Sequence, residues 1–255
     1  ADAEIDVDSP VTQVLLTKFR ENPIATVQRA TGAPKIFGVP YNRQVFTASG
    51  TWTKPSNAEA SDTVIVWGVG GGGSGARSGT GNGSGGGGGA GFLYRIPDIS
   101  TIAATMTVTI GAGAANNTGA NGVAGGNTSF GTSGVAGYCQ FTGGVGGQGN
   151  GNPTPLVRVV SYSTHLSANT TTAWEEGASG KSTAAADGPT TGGSSQWGGG
   201  GGGANNSSDG GFSANAGHGG KGNASGNGEV GAFPGGGGGS ITTGGTTAGG
   251  GGAGY

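Results

Sequence analysis

Few side chains in this sequence could carry out chemistry. His165 and His218 are its two histidines and its ordinary neutral-pH bases. Neither lies in a recognisable nucleophile motif. Cys139 is the one cysteine, so no disulfide can form within the chain. It sits in the β-like stretch Gly137-Tyr138-Cys139-Gln140-Phe141 and reads as a buried thiol. Glu175 and Glu176 could act as an acid pair in principle. Adjacent residues on a regular element do not face each other, so glycoside hydrolysis would need another carboxylate nearby. Gly68-Val69-Gly70-Gly71-Gly72-Gly73 satisfies the dinucleotide fingerprint G-x-G-x-x-G, but in so much glycine the match is nearly unavoidable. No helix follows it, and no acid lies about 20 residues on to hold a ribose. No metal-ligand spacing occurs. The expectation is a protein that is not an enzyme and needs no cofactor and no metal.

Binding chemistry is better represented. Tyr162, His165, Trp174, Glu175 and Glu176 cluster in sequence, with Trp197 and His218 further on. A planar ring with carboxylate and amide neighbours suits a sugar: the ring covers C–H faces and the polar groups take hydroxyls. The competing reading makes Trp174 and Trp197 part of an apolar layer, and the sequence leaves both open. The Asn-x-Ser/Thr triplets at Asn116, Asn127, Asn169, Asn206 and Asn223 are expected from composition alone.

The elements that must position these residues are unusual. Of 255 residues, 65 are Gly. Collagen would need Gly at every third position with abundant Pro; here the glycines come in runs. Charged residues are 9%, too few for disorder driven by charge. The net charge of −2 gives no electrostatic case for nucleic acid or an anionic membrane. No apolar run approaches the ~18 residues of a membrane-spanning helix. Ala1-Asp2-Ala3-Glu4 has no basic segment of a secretory type, so none is expected.

One helix is predicted, over residues 10–21. Asp8 or Ser9 caps it, Pro10 suits its first position, and Asn22-Pro23 ends it. Val11, Val14, Leu15 and Phe19 share a face. A helix this short is marginal alone. Its face must pack on the chain's own β-domain, on copies of itself, or in a socket on another protein. An extended arm follows over 24–40. Short strands are predicted at Val45-Phe46, 51–53, 63–67, 92–96, 105–110, 128–131, 137–141 and 156–162. The run at 63–67 is β-branched and reads as buried.

Glycine runs can fold when chains with three residues per turn lie side by side. N–H to C=O bonds then form laterally, and a Cβ on a contacting face would hold the chains apart. Such an assembly needs anchored ends and an apolar layer, for which Trp67, Phe92, Trp197, Phe212 and Phe233 are candidates.

The run Phe46-Thr47-Ala48-Ser49-Gly50-Thr51-Trp52-Thr53-Lys54-Pro55 resembles the glycine-rich domain of tailed-phage fibre and adhesin proteins. Val64-Ile65-Val66-Trp67 before Gly70–Gly73, then Thr109-Ile110-Gly111-Ala112-Gly113, then Gly125-Gly126-Asn127-Thr128-Ser129-Phe130-Gly131 continue the resemblance in order. Asp8-Ser9-Pro10-Val11-Thr12 with Glu21-Asn22-Pro23-Ile24-Ala25 looks like a short module of phage and gene-transfer-agent particle proteins. The resemblance implies a fibre or spike on a phage-like particle, assembled in the host cytoplasm. It implies attachment to other particle proteins through residues 1–40 and binding of a bacterial surface polysaccharide or outer-membrane protein. A homo-oligomer is expected, a trimer before other states. It brings no residue-level receptor site. A passive structural or decoration component and a surface-glycan hydrolase are the alternatives.

The fold expected is therefore mainly β. An attachment helix and arm fill 1–43. A small β-sandwich-like domain with glycine-rich insertions fills 44–162. A glycine-rich bundle of polyglycine- or polyproline-II-like segments with recognition loops fills 163–255.

Overall fold

A computed structural model describes residues 42–60, 62–78, 83–149, 198, 201, 208–242 and 245–255. The helix expected over 10–21, the arm, the strand at 156–162 and the boundary at 162/163 lie outside the described residues. The chain divides into two compact units, Ala1–Gln44 with Pro55–Glu59, and Val45–Lys54 with Ala60–Tyr255. In the first, the Ala58 N–H bonds the Pro55 carbonyl at 3.0 Å and closes a turn.

The second unit is mainly β, with small antiparallel sheets and almost no helix. Its strands are β1 (Gly50–Thr53), β2 (Val64–Val69), β3 (Gly91–Ile96), β4 (Thr105–Thr109), β5 (Thr128–Phe130) and β6 (Cys139–Phe141). One 3-10 turn, Ile99–Thr101, is capped by the Asp98 carboxylate, which accepts from the Ser100 N–H and hydroxyl. β1, β4, β5 and β6 form one sheet in that order, and β2 pairs with β3 in a ribbon.

Alternation sets the faces. In β4, Met106 and Val108 point inward while Thr105, Thr107 and Thr109 point out. Trp52 stands opposite Met106 across the β1–β4 pair, and its ring meets Phe130 edge-on at 5.4 Å. Ile96, Ile99, Ile102, Tyr138, Cys139 and Phe141 complete the core. Gly137 turns the chain into β6 with φ of 82°, in a place where a Cβ would strike Ile102.

Three expectations are corrected. Val45-Phe46 is not a strand; Phe46 lays its ring beside Gly50 instead. The run at 63–67 is not buried. A two-stranded ribbon turns one face outward, so Ile65 is 61% exposed, with Trp67 and its partner Leu93 exposed beside it. Nor do Trp67, Phe212 and Phe233 form an interior layer. Phe212 and Phe233 are 62% and 53% exposed, and Trp67 and Phe233 meet Tyr255 edge-on at 4.9 Å and 6.0 Å. Trp197 and the Phe92 side chain lie outside the described residues.

The glycine segments have their own order. From residue 70 each successive N–H turns to a different neighbour, and the choice repeats every third residue. Gly70, Gly73 and Ala76 donate to Ala90, Gly87 and Ser84. Gly71, Ser74 and Arg77 donate to Gly126, Val123 and Gly119, while Val69, Gly72 and Gly75 donate to Tyr255, Gly252 and Gly249. Carbonyls fill the gaps between these directions. Gly71 and Ser74 accept from Gly144 and Gly147, Gly73 and Ala76 accept from Gly238 and Ile241, and Gly72 accepts from Ala114. Segment 70–76 is thus enclosed by 84–90, 142–148, 119–126, 111–117, 247–255 and 235–241, and is buried throughout. Each of those six bonds the next around the ring, as in Gly87 to Val145, Gly125 to Gly144, Gly126 to Ala112, Gly251 to Ala114, Gly252 to Gly236 and Gly89 to Gly235.

This spacing leaves no room for side chains between segments. A Cβ on Gly72 would overlap the Gly236 carbonyl, and one on Gly238 the Gly249 carbonyl. Backbone cannot yield as a side chain can. Gly72→Ala and Gly238→Ala should each lower stability by about 3 kcal/mol, the upper part of the overpacking range. Gly50→Ala in β1, where a new Cβ comes no nearer to anything than 3.4 Å, to the Phe46 ring, should change it by less than about 0.5 kcal/mol. Denaturant melts of the three variants check this; equal effects would mean that the glycine segments are not tightly apposed.

Candidate functional site

Of the residues singled out for receptor binding, Tyr162, His165, Trp174, Glu175, Glu176 and Trp197 lie outside the described residues, as do Val11, Val14, Leu15 and Phe19 of the attachment face. His218 is described. It is exposed at the start of segment 217–223, and its ring stacks on Phe212 with centroids 4.7 Å apart. Its Nδ1 accepts from the Ser213 N–H at 3.0 Å. A neutral imidazole that accepts at Nδ1 carries its proton on Nε2. Nearby on the same segment, Lys221 pairs with Asp209 at 3.3 Å, and the Glu229 carboxylate accepts from the Lys221 N–H. Both members of the ion pair are well exposed, so it adds little to stability.

A second group of polar residues gathers where the glycine segments turn, at the end away from the sheets. Arg77 and Asn223 both bridge to Ile241 there, and Asn117 bridges to Ala248. Two turns share one design. Asn117 Oδ1 accepts from the Gly119 N–H, and its Nδ2 donates to the Asn121 carbonyl at 2.7 Å. Asn223 Oδ1 accepts from the Ser225 and Gly226 N–H groups, and its Nδ2 donates to the Asn227 carbonyl. The second Asn of each turn reaches sideways: Asn121 Oδ1 accepts from Gly149, and Asn227 Oδ1 from Thr246 and Thr247. Side-chain amides that mimic backbone are the ordinary way to close such turns. The signal was present in the sequence as Asn-x-x-x-Asn-Gly, twice, at 117–122 and 223–228. Counting Asn116 and Asn223 only as Asn-x-Ser/Thr triplets hid it.

Other side-chain oxygens, on neighbouring segments, take amides in place of a backbone carbonyl. Asn127 Oδ1 accepts from Gly143 at 2.8 Å, and Asn116 Oδ1 from Gly250 at 2.8 Å. Ser74 and Ser84 hydroxyls accept from Val123 and Gln148.

Among the described residues, two features that could carry chemistry are closed off. The amides of Gly70–Gly73, which a dinucleotide site would turn toward a pyrophosphate, all donate to carbonyls of neighbouring segments. Burial pushes the Cys139 thiol up to about 12, so the nucleophilic thiolate is suppressed. Among the described residues no group of His, Cys, Asp and Glu could hold a metal ion, and no helix is long and apolar enough to cross a membrane.

Residues 45–255 match the family described as a glycine-rich domain. The chain belongs to that glycine-rich domain family. No curated protein matches it. The matched stretch begins at Val45, where the second compact unit also begins, so the glycine-rich domain takes in the sheets together with the glycine segments.

Two outcomes follow from these contacts. Asn116→Ala should destabilise the glycine-rich domain by about 1–3 kcal/mol, because the buried Gly250 N–H loses its acceptor. Asn116→Asp, which keeps the acceptor oxygen, should recover much of that in a thermal melt. For Cys139 the folded thiol ionises above the unfolded one, so unfolding releases a proton once pH exceeds the unfolded value. Its contribution to stability is complete below about pH 8.5 and is lost as pH climbs toward 12. Cys139→Ser or Cys139→Ala proteins should show a shallower alkaline decline in melting temperature than wild type.

Proposed function

We propose that this chain is a structural adhesin, a fibre or spike of a phage or phage-like gene transfer particle, that binds a bacterial surface polysaccharide. In this reading the glycine segments are a bundle of polyglycine-II-like helices. The three-residue repeat of the lateral bonds supports that assignment, since such a helix has three residues per turn. Residues 1–40 join the chain to other particle proteins, and the assembled unit is a homo-oligomer on the particle surface.

The observation that carries the reading is the separation of the two ends. Segments 111–117 and 119–126 run between the β-sheet and the Asn117 turn, and the Asn223 turn reverses segment 217–223 at that same end, both tied to it through Arg77 and Ile241. A backbone lattice makes a stiff support, and stiff supports with loops at their ends are how binding residues are commonly displayed. Tyr162, His165, Trp174, Glu175 and Glu176 are the recognition residues in this proposal, with Trp197 and His218 as further contacts. The rings cover sugar C–H faces, and the imidazole and carboxylates take hydroxyls.

The test is binding of the purified full-length chain to bacterial cells and to their isolated surface polysaccharides. We expect binding, and we expect Trp174→Ala or His165→Ala to weaken it by about thirtyfold with melting unchanged, as for an interface hot spot. Absence of binding to cells and polysaccharides by protein and intact particle alike would leave a passive structural component. Release of reducing ends from the polysaccharide would instead make the protein a hydrolase.

A further inference from the structure

The two Asn turns end in the dipeptides Asn121-Gly122 and Asn227-Gly228, which invite a backbone reaction. In it the glycine amide nitrogen attacks the Asn side-chain carbonyl carbon, Cγ. The N–Cγ bond forms, the Cγ–Nδ2 bond breaks, and ammonia leaves with the amide proton. Water then opens the cyclic imide to aspartate or isoaspartate. Glycine after Asn favours the attack because no Cβ shields the nitrogen. Both asparagines are exposed, so water reaches them.

We propose that Asn121-Gly122 and Asn227-Gly228 are paired imide-forming sites that the folded glycine segments hold closed. Both reacting groups are engaged in each turn. The Gly122 N–H donates to the Gly147 carbonyl at 2.7 Å, and the Gly228 N–H to the Thr247 carbonyl at 3.1 Å. Removing that proton would turn a negative nitrogen toward a carbonyl oxygen. The side-chain amides are held as well. Asn121 Oδ1 accepts from Gly149 at 3.2 Å. Asn227 Oδ1 accepts from the Thr246 N–H at 3.1 Å, the Thr246 hydroxyl at 2.9 Å and the Thr247 N–H at 3.2 Å. For either Asn to swing its Cγ onto the next nitrogen, these bonds must open together.

The consequence is specific to this architecture. Isoaspartate routes the main chain through Cγ and adds a backbone carbon. At Asn227 that carbon precedes Gly228 and Gly231, whose N–H groups meet Thr247 and Gly250 in three-residue register. A converted chain loses that register. The reaction therefore belongs to chain that is not folded and marks it chemically, a route to irreversible loss of the unfolded state.

The experiment is peptide mass spectrometry of the full chain held in mildly alkaline buffer, native and in denaturant, resolving Asn, Asp and isoaspartate at both positions. We expect conversion in the native protein to be slower by about tenfold or more at each site, as for any reaction that needs local opening. Thr246→Ala, which removes the hydroxyl donor, should raise the native rate at Asn227 and leave Asn121 unchanged, and Thr246→Ser should restore it. Equal native and denatured rates at either site overturn the proposal. So does an Asn227 rate in Thr246→Ala that matches wild type.

Discussion

The lateral N–H···O=C bond between neighbouring glycine segments is the interaction on which this structure depends. Buried backbone must find partners, and here the amides point in successive directions that repeat every third residue rather than along one edge. A strand satisfies two neighbours; segment 70–76 satisfies six. In the same arrangement the glycines of segment 70–76 turn their Cα atoms toward neighbouring carbonyls, as at Gly72 against Gly236 and Gly73 against Val145. No position in the middle of the array is therefore free to carry a large side chain. Most buried residues other than glycine that enter it are small: Ser74, Ala76, Ser84, Ala90, Ala114, Ser240 and Ala248. The fully buried Ile241 lies at the turn end, where Arg77 and Asn223 bridge to it. The serines bond neighbouring segments through their hydroxyls, as Ser240 does with the Gly83 carbonyl at 2.9 Å.

Such an array is costly to order, because glycine loses more freedom than any other residue. Its ends must be fixed by something else. At one end the sheets do this. β2 runs directly into segment 70–78, β4 into 111–117 and β6 into 142–149, so packed residues such as Val69, Val108 and Phe141 set where each segment starts. At the other end Asn117 and Asn223 fix the reversals. The outer amides are closed by side-chain oxygens from Asn116, Asn121, Asn127 and Asn227. The abundance of Asn beside glycine is in this sense structural: each amide oxygen stands where the next segment's carbonyl would have been.

The strands were legible because alternation is a local signal. The strands expected at 105–110 and 92–96 are found, at Thr105–Thr109 and Gly91–Ile96. Which face of β2 is buried was not legible, since a run of Val, Ile and Trp reads the same with one face covered or two. Glycine runs conceal their own order. Identical residues carry no mark of which neighbour each amide meets, so the three-residue repeat could be anticipated as a possibility but not assigned. The aromatics misled for a physical reason. Rings among glycines look like an interior layer, yet segments at bonding distance leave no gap for one, and Phe212 and Phe233 stand outside. His218 was legible as a polar residue among loops, but its bond from Ser213 depends on a turn with no strong signature.

If the backbone lattice holds the glycine-rich domain together, amide hydrogen exchange tests it most directly. Every consecutive amide from Val69 to Ala76 donates to a carbonyl of another segment. The account predicts uninterrupted protection across that stretch, opening only with the whole domain. Exchange at the rate of an unstructured glycine peptide, or protection of alternate residues as on an edge strand, would contradict it.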